Sequence, residues 1–266
     1  MSATSSVALP ARRIAAAAVP PLVAGAIALA LWQWWVVAYD VKPFVIPKPS
    51  AILDEFFAKS DLVVNACKVT GLNALIGLIL GTFVGFALAA LTNRFLVVDQ
   101  VVNPLAVTIA AIPAVVIVGV LNRMYPLDSQ TGRRIMVTLA VFFIVFVQVA
   151  KGLRQNDATQ MELMRSYAAT PRQVLAKVRL PNTMPYLFTG IRTAVPIAVI
   201  IALVSEYFGG TQDGLGSKIA STLNSSNKAL GFAYVLGGSI LGLMFFIGAN
   251  LVEYTVVPWQ RRRGQP

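Results

Sequence analysis

The side chains with the most evident chemistry lie in one polar stretch, residues 155–185, which separates two apolar runs. It contains two acids and four bases: Asp157, Glu162, Arg165, Arg172, Lys177 and Arg179. Without a histidine or cysteine nearby, such groups offer ion pairs and hydrogen bonds to another macromolecule rather than bond-breaking chemistry. The stretch therefore predicts a docking surface.

Two capping patterns predict how this stretch folds. Asp157 precedes Gln160 by three residues, and Thr170 precedes Gln173 by three, so each pair can form a capping box at a helix N-terminus. Pro171 suits the first position of the second helix. Prolines at 181 and 185 are expected to end that helix, because proline lacks the N–H group and clashes with the preceding turn. We expect two short helices at about a right angle.

Several chemistries are excluded by what the chain lacks. It has no histidine and one cysteine, Cys67, so it can form neither a disulfide framework nor a multi-ligand Cys/His metal site. The sequence G-x-x-x-x-G-K-S/T does not occur, so there is no Walker A loop, and any ATP that drives this protein must bind a separate subunit. The glycines of 209–216 lack the accompanying lysine and predict a flexible or re-entrant connector.

Composition places the chain in a membrane. It is 57% hydrophobic and 12% charged, with a mean hydropathy of +0.71, whereas soluble domains carry about 25% charged residues. The net charge of +11 comes from bases at the ends of apolar runs. That distribution favours anchoring at a lipid surface over binding to nucleic acid.

Six apolar runs are long enough to cross a bilayer, which takes about 20 residues. They predict spans at about 20–39, 69–91, 101–121, 134–150, 186–208 and 231–256. The second span carries small residues at every fourth position (Gly77, Gly81, Gly85 and Ala89), a face that another helix can approach closely. Pro113 is expected to kink the third span.

Six spans place both termini on one side of the membrane. The tails 1–13 and 259–266 and the loop 151–185 are basic and fall on that side, which the positive-inside rule identifies as the cytoplasm. Three bases, Arg123, Arg133 and Arg134, fall on the outer side against the rule.

The polar stretch resembles the EAA loop of permease subunits in binding-protein-dependent ABC importers. That pattern is Glu-Ala-Ala, three residues, Gly, nine residues, an aliphatic residue, any residue and Leu-Pro. Here Glu162-Leu163-Met164 is followed at the same spacing by Ala168, Val178 and Leu180-Pro181. Leu-Met thus replaces Ala-Ala, and Ala168 stands where the family has the glycine that tolerates positive φ.

Five further segments resemble the nitrate/taurine/alkanesulfonate branch of that family: 46–50, 186–192, 205–210, 214–216 and 257–259. The resemblance implies an all-α integral membrane protein with the type I importer (MetI-like) transmembrane fold over residues 14–258. It implies a permease subunit of the bacterial inner membrane with no catalytic, metal or cofactor site of its own. Its implied partners are a cytoplasmic ABC ATPase dimer that binds ATP, a second permease copy, an external substrate-binding protein and membrane lipid.

The resemblance also assigns candidate residues. Those for docking the ATPase are Glu162, Met164, Arg165, Tyr167, Ala168, Ala169, Thr170, Arg172 and Pro181. Glu162 either pairs with a base of the ATPase or lies on a solvated helix face with Arg165. Candidates for the translocation path are Arg192, which otherwise snorkels or pairs within the bundle, and Glu206, which otherwise lies at the boundary or contacts the binding protein.

Two other classes of membrane protein fit the sequence less well than a permease subunit. An ion-coupled secondary transporter usually places ionisable groups and broken helices at mid-membrane, whereas Glu206 and Glu253 fall toward the ends of their spans. A membrane enzyme would need grouped catalytic side chains, and none are evident. The sequence does not determine the solute, which the branch leaves as nitrate, a sulfonate, taurine or a vitamin precursor, nor whether the second permease copy is identical.

Overall fold

The computed structural model describes residues 9–126, 129–155, 158–209, 213–225 and 227–257. Within those residues every regular element is helical. The helices are α1 Leu9–Ala38, α2 Pro49–Ala58, α3 Ser60–Arg94, α4 Leu96–Ala111, α5 Ala114–Met124, α6 Thr131–Arg154, α7 Ala158–Ser166, α8 Pro171–Val174, α9 Leu180–Tyr207, α10 Leu215–Leu223 and α11 Lys228–Val256. A π-helical turn, Leu175–Arg179, joins α8 to α9.

Five stretches of helix in the described part of the chain are long and apolar enough to cross a membrane: Val19–Ala38, Ser60–Arg94, Thr131–Arg154, Pro171–Tyr207 and Lys228–Val256. The third predicted span is divided instead into α4 and α5. The division falls at Pro113, which caps α5 and cannot continue a helical hydrogen-bond ladder. The proline therefore breaks this segment completely where the sequence predicts a kink.

The core of the bundle is the contact between α3 and α6, which run in the same direction. A Cβ atom on Gly77 would lie 2.4 Å from the Cβ of Val137, and one on Gly81 would lie 2.7 Å from the carbonyl oxygen of Thr138. At Gly85 the nearest atom is the carbonyl oxygen of Phe142, also at 2.7 Å. The predicted close-packing face of the second span is thus confirmed, and the glycines let two backbones touch.

A methyl group at Gly81 should destabilise this contact. Because the obstructing atoms include backbone, Gly81→Ala must push α3 and α6 apart, and we expect a loss of about 1–3 kcal/mol in the free energy of unfolding. The thermal unfolding midpoint of the detergent-purified protein measures the effect. The matched control is Gly248→Ala in α11, where nothing lies within 4 Å; equal melting points for the two variants would contradict the packing account.

The helix that begins at Pro171 does not end at the prolines that follow it. It continues without interruption to Tyr207 over 37 residues, so the predicted stop at Pro181–Pro185 is wrong. In the π turn the N–H of Leu180 reaches back five residues to the oxygen of Leu175, and Pro181 then occupies the first turn of α9, where its missing N–H is tolerated. The polar stretch is therefore continuous with a membrane-spanning helix.

Candidate functional site: an exposed turn and a buried polar cluster

The turn between α7 and α8 is a Schellman motif with alanine in the usual glycine position. The N–H of Ala169 donates to the oxygen of Met164 at 3.0 Å, and that of Ala168 donates to the oxygen of Arg165 at 2.9 Å. Ala168 has φ of 46°, in the left-handed region that favours glycine. The chain thus keeps the turn that the resemblance implies even though the glycine is absent.

Restoring glycine at this position should relieve strain. A left-handed conformation costs an L-residue about 1–2 kcal/mol, which glycine avoids at a smaller entropic loss. We therefore expect Ala168→Gly to raise the free energy of unfolding by about 0.5–1 kcal/mol. Ala169→Gly makes the same chemical change one residue later, where φ is not positive, and should lower stability; a melting-point comparison that ranks the two variants the other way contradicts the prediction.

The second capping pattern is present as predicted. The side chain of Thr170 accepts from the N–H of Gln173, the side chain of Gln173 accepts from the N–H of Thr170 at 2.8 Å, and Pro171 occupies the first turn. This capping box fixes the direction in which α8 leaves the turn. The first pattern depends on Asp157, which lies outside the described residues.

The predicted docking residues form an exposed surface around this turn. Half-buried are Met164 and Ala169, and exposed are Glu162, Arg165, Tyr167, Ala168, Thr170, Arg172 and Pro181. Tyr167 is 74% exposed, and Leu163, one helical turn before it, is 53% exposed. Leu163 is not among the predicted residues; its position on α7, four residues before Tyr167, is the sequence signal that indicates it. We call this set, with Leu163, the docking surface.

Glu162 and Arg165 do not form an ion pair with each other. Both are exposed, and among the described residues neither makes an ion pair within 4.0 Å. The interpretation of Glu162 as one half of a paired, solvated helix face therefore has no support in the geometry, and its carboxylate is available to a partner.

Side-chain hydrogen bonds fasten the docking surface to the bundle. The amide of Asn182 in α9 donates to Gln160 in α7 at 2.8 Å, and the hydroxyl of Tyr186 donates to Gln155 at 2.6 Å. The ring of Tyr186 also packs on Gly152 of α6, where a Cβ would lie 2.9 Å from it. The docking surface is therefore attached both to the C-terminal end of α6 and to the first turns of α9.

Arg192, a candidate for the translocation path, pairs within the bundle. Its Nη1 lies 3.5 Å from Oε2 of Glu253 in α11, and its side chain is partly exposed. The pair joins α9 to α11. This is one of the two alternatives that the sequence left open for Arg192.

Glu206, the second path candidate, lies at the other end of α9 and is only 1% exposed. Its Oε2 accepts from the hydroxyl of Thr70 at 2.7 Å and from the N–H of Gly216 at 3.1 Å, and its Oε1 accepts from Asn73 at 3.3 Å. The same Thr70 hydroxyl accepts from the N–H of Leu215 at 2.9 Å. In this conformation the carboxylate therefore binds α3 and α10 and is not open to a solute.

The polar contacts extend to the start of α6. Gln130 accepts from Asn73 at 2.8 Å and from Arg133, whose Nη2 donates to the oxygen of Gly209 at 3.1 Å. Arg133 is 1% exposed and interacts electrostatically with Glu206. We call Thr70, Asn73, Gln130, Arg133 and Glu206 the Glu206 cluster.

The Glu206 cluster explains the place of Arg133 on the predicted outer side, which the positive-inside rule does not explain. Arg133 is predicted on the outer side with Arg123 and Arg134, where bases are disfavoured, but it is buried, donates hydrogen bonds to Gln130 and Gly209, and interacts electrostatically with Glu206 and Asp213. Arg134 donates to Asn73 at 3.2 Å. The available sequence signal was a glutamate and an arginine at neighbouring ends of two spans, at the same expected depth.

Metal chemistry finds no support in the described residues, where no group of three or more His, Cys, Asp or Glu side chains could hold an ion.

Comparison with known proteins gives consistent matches. The model of the family described as "binding-protein-dependent transport system inner membrane component" matches residues 77–263. A probable ABC transporter permease protein of Haemophilus influenzae is 27% identical over 91% of this chain and 95% of its own length. The formylaminopyrimidine transport permease protein of Halalkalibacterium halodurans is 29% identical over 84% and 88%. A putative aliphatic sulfonates transport permease protein of Bacillus subtilis is 23% identical over 88% and 85%.

Two solved structures share the fold. An amino acid ABC transporter crystallised with histidines superposes with a TM-score of 0.62 at 14% identity, covering 76% of this chain and 97% of that one. The methionine ABC transporter MetNI in an inward-facing conformation superposes with a TM-score of 0.57 at 18% identity, covering 74% and 95%. The helical bundle described above is therefore that of an ABC importer permease.

Proposed function

Because this chain belongs to the binding-protein-dependent transport system inner membrane component family, we propose that it forms the path of a small solute and takes its energy from a separate ATPase. It is a multi-pass membrane protein and a transport subunit rather than an enzyme. One observation supports the coupling role above all: the exposed turn at Ala168 keeps a left-handed residue at the EAA-loop glycine position despite the substitution.

The proposed mechanism follows from the continuity of α8, the π turn and α9. A helix of 37 residues spans about 55 Å at 1.5 Å per residue, so it connects the docking surface to the far end of the bundle. When ATP closes the ATPase dimer, the docking surfaces of two permease copies are drawn together, and α9 rotates as a rigid body with α6. That rotation switches the translocation path between its inward-facing and outward-facing conformations.

The proposed topology places the docking surface in the cytoplasm. The loop 151–185 and the tails 1–13 and 259–266 then face the ATPase side of a bacterial inner membrane, with the permease body at 14–258. An external substrate-binding protein delivers the solute at the opposite end, where α2 and α10 lie. The second permease copy is proposed to be identical.

The proposed solute is small and polar. Relatives whose names refer to formylaminopyrimidine and aliphatic sulfonates mark the range of chemistry to test. Arg192 is the candidate for meeting an anionic group, which must compete with Glu253 at 3.5 Å. Glu206 can meet a solute only in a conformation in which the Glu206 cluster opens.

Co-purification tests the proposal. The ABC ATPase encoded alongside this chain should co-purify with the wild-type permease from membranes. It should be lost from Glu162→Lys and Ala168→Asp, which reverse or add charge on the docking surface while leaving the bundle intact. Asp54→Lys is the matched control, because Asp54 is an equally exposed acid on α2 at the other end. An ATPase that never associates, or that binds all three variants alike, overturns the proposal.

A further inference from the structure

The Glu206 cluster lies about 55 Å along the helix from the docking surface and has no role in docking. It joins four helices through buried hydrogen bonds: α3 by Thr70 and Asn73, α6 by Arg133, α9 by Glu206, and α10 by the N–H groups of Leu215 and Gly216. Buried polar groups tied this way fix one arrangement, because any other leaves a group without its partner.

The glycines around the carboxylate show how closely α10 is held. A Cβ on Gly214 would lie 2.2 Å from Oε2 of Glu206, and one on Gly216 would lie 2.1 Å from the oxygen of Leu203. Both distances are far inside van der Waals contact, so the backbone of 214–216 wraps the glutamate without room for a methyl group. The start of α10 thus packs directly against α9, and its N–H group at Gly216 is bound by the Glu206 carboxylate.

The hydroxyl of Thr70 connects Glu206 to the first turn of α10. Its hydroxyl donates to Glu206 and accepts from Leu215, so one side chain of α3 satisfies both the carboxylate of α9 and an N–H group of the first turn of α10. That N–H has no partner within its own helix, since the first four N–H groups of a helix lack one. Loss of the hydroxyl leaves the buried N–H of Leu215 without its partner and removes one of the two hydrogen bonds that Oε2 of Glu206 accepts.

We propose that Glu206 is a positioning residue that locks α10 to α3, α6 and α9, so that the outer end of the permease moves as one body with the docking helix. The inference rests on the proposed function for its consequence in transport. With the lock intact, rotation of α9 carries α10 with it. With the lock broken, α9 still docks the ATPase but α10 no longer follows.

The single cysteine of the chain is a built-in reporter of this lock. The Sγ of Cys67 and the side chain of Leu215 lie on the same glycine of α11, at 3.3 and 3.6 Å from a Cβ placed on Gly237. Cys67 is also one helical turn from Thr70. Cys67 is half-buried, and release of α10 should increase the exposure of its thiol.

The experiment measures the rate at which N-ethylmaleimide labels Cys67 in the full chain in proteoliposomes. Thr70→Val keeps the side-chain shape and removes the hydroxyl, whereas Thr70→Ser keeps the hydroxyl. We expect labelling about tenfold faster in Thr70→Val and in Glu206→Gln, with Thr70→Ser near the wild-type rate. Cys67→Ser gives the background. Equal rates in Thr70→Val and Thr70→Ser overturn the proposal.

A second readout separates locking from mere packing. In the complex with the ATPase, Thr70→Val should retain ATPase binding and ATP hydrolysis, while solute taken up per ATP falls about tenfold. Faster labelling with unchanged uptake per ATP overturns the proposal, because Glu206 would then hold α10 in place without coupling its motion to transport. If the wild-type chain binds no ATPase, the proposed function fails, and the labelling comparison alone decides whether Glu206 holds α10.

Discussion

Replacing Tyr167 with alanine should weaken binding of the ATPase subunit about 30-fold, which corresponds to about 2 kcal/mol. Tyr167 is 74% exposed directly after the last residue of α7, and its N–H donates to the oxygen of Leu163, which is 53% exposed. A large aromatic ring held on a rigid capped turn gives up little conformational entropy on binding and buries a large apolar area. Such residues carry most of the binding energy of an interface.

The measurement is the dissociation constant of the purified ATPase for permease in nanodiscs. Phe57→Ala is the matched control, because Phe57 is an aromatic residue of α2 with 71% exposure at the opposite end of the bundle. It should leave the affinity unchanged. If Tyr167→Ala binds as tightly as Phe57→Ala, the ATPase does not bind at the docking surface.

The second large effect is expected from Arg133→Met, which should lower the free energy of unfolding by about 3 kcal/mol. Methionine fills much of the volume of the arginine stem but removes the buried positive charge that interacts electrostatically with Glu206, and it leaves the oxygens of Gln130 and Gly209 without the hydrogen bonds that Arg133 donates. A buried carboxylate that loses a nearby positive charge, together with buried acceptors that lose their donors, makes the substitution costly.

Two comparisons make this prediction specific. Arg123→Met removes an exposed arginine predicted on the same side and should change stability by less than about 0.5 kcal/mol. The double variant Arg133→Met/Glu206→Gln removes both charges and should be more stable than the sum of the single effects predicts. Strict additivity in melting experiments would show that the two charges do not support each other.

Local signals in the sequence were sufficient where the structure depends on neighbouring residues. The capping box at Thr170 is set by side chains three residues apart, and the close-packing face of α3 follows from the four-residue spacing of Gly77, Gly81 and Gly85, although the spacing does not identify α6 as the helix packed against it. The all-α membrane fold likewise follows from the length and composition of the apolar runs, and the similarity to solved permeases confirms it.

The continuity of α8 with α9 could not be predicted in the same way. Pro181 ends a helix in most settings, and only a change of hydrogen-bond register before it allows the helix to continue. Single-residue preferences do not encode such a change of register. The proposed mechanism depends on this continuity, since a broken helix would not connect the docking surface to Glu206.

The Glu206 cluster was missed for a different reason. Thr70 and Glu206 are 136 residues apart in the sequence, and Asn73 and Gln130 are 57 apart. Hydrophobic periodicity shows which face of a helix is apolar but does not show which polar residues of two helices meet. For the same reason the sequence presents Arg133 as an exception to the charge rule and does not show that it belongs to a buried polar cluster.

Uptake into proteoliposomes tests the central claim most directly. Permease, ATPase and binding protein are reconstituted together and supplied in turn with labelled formylaminopyrimidine and an aliphatic sulfonate, with ATP given on the docking side. We expect uptake that requires hydrolysable ATP and all three components, and we expect it to be lost in Glu162→Lys. Uptake by the permease alone, driven by a sodium or proton gradient without ATP, would contradict the account and identify an ion-coupled transporter.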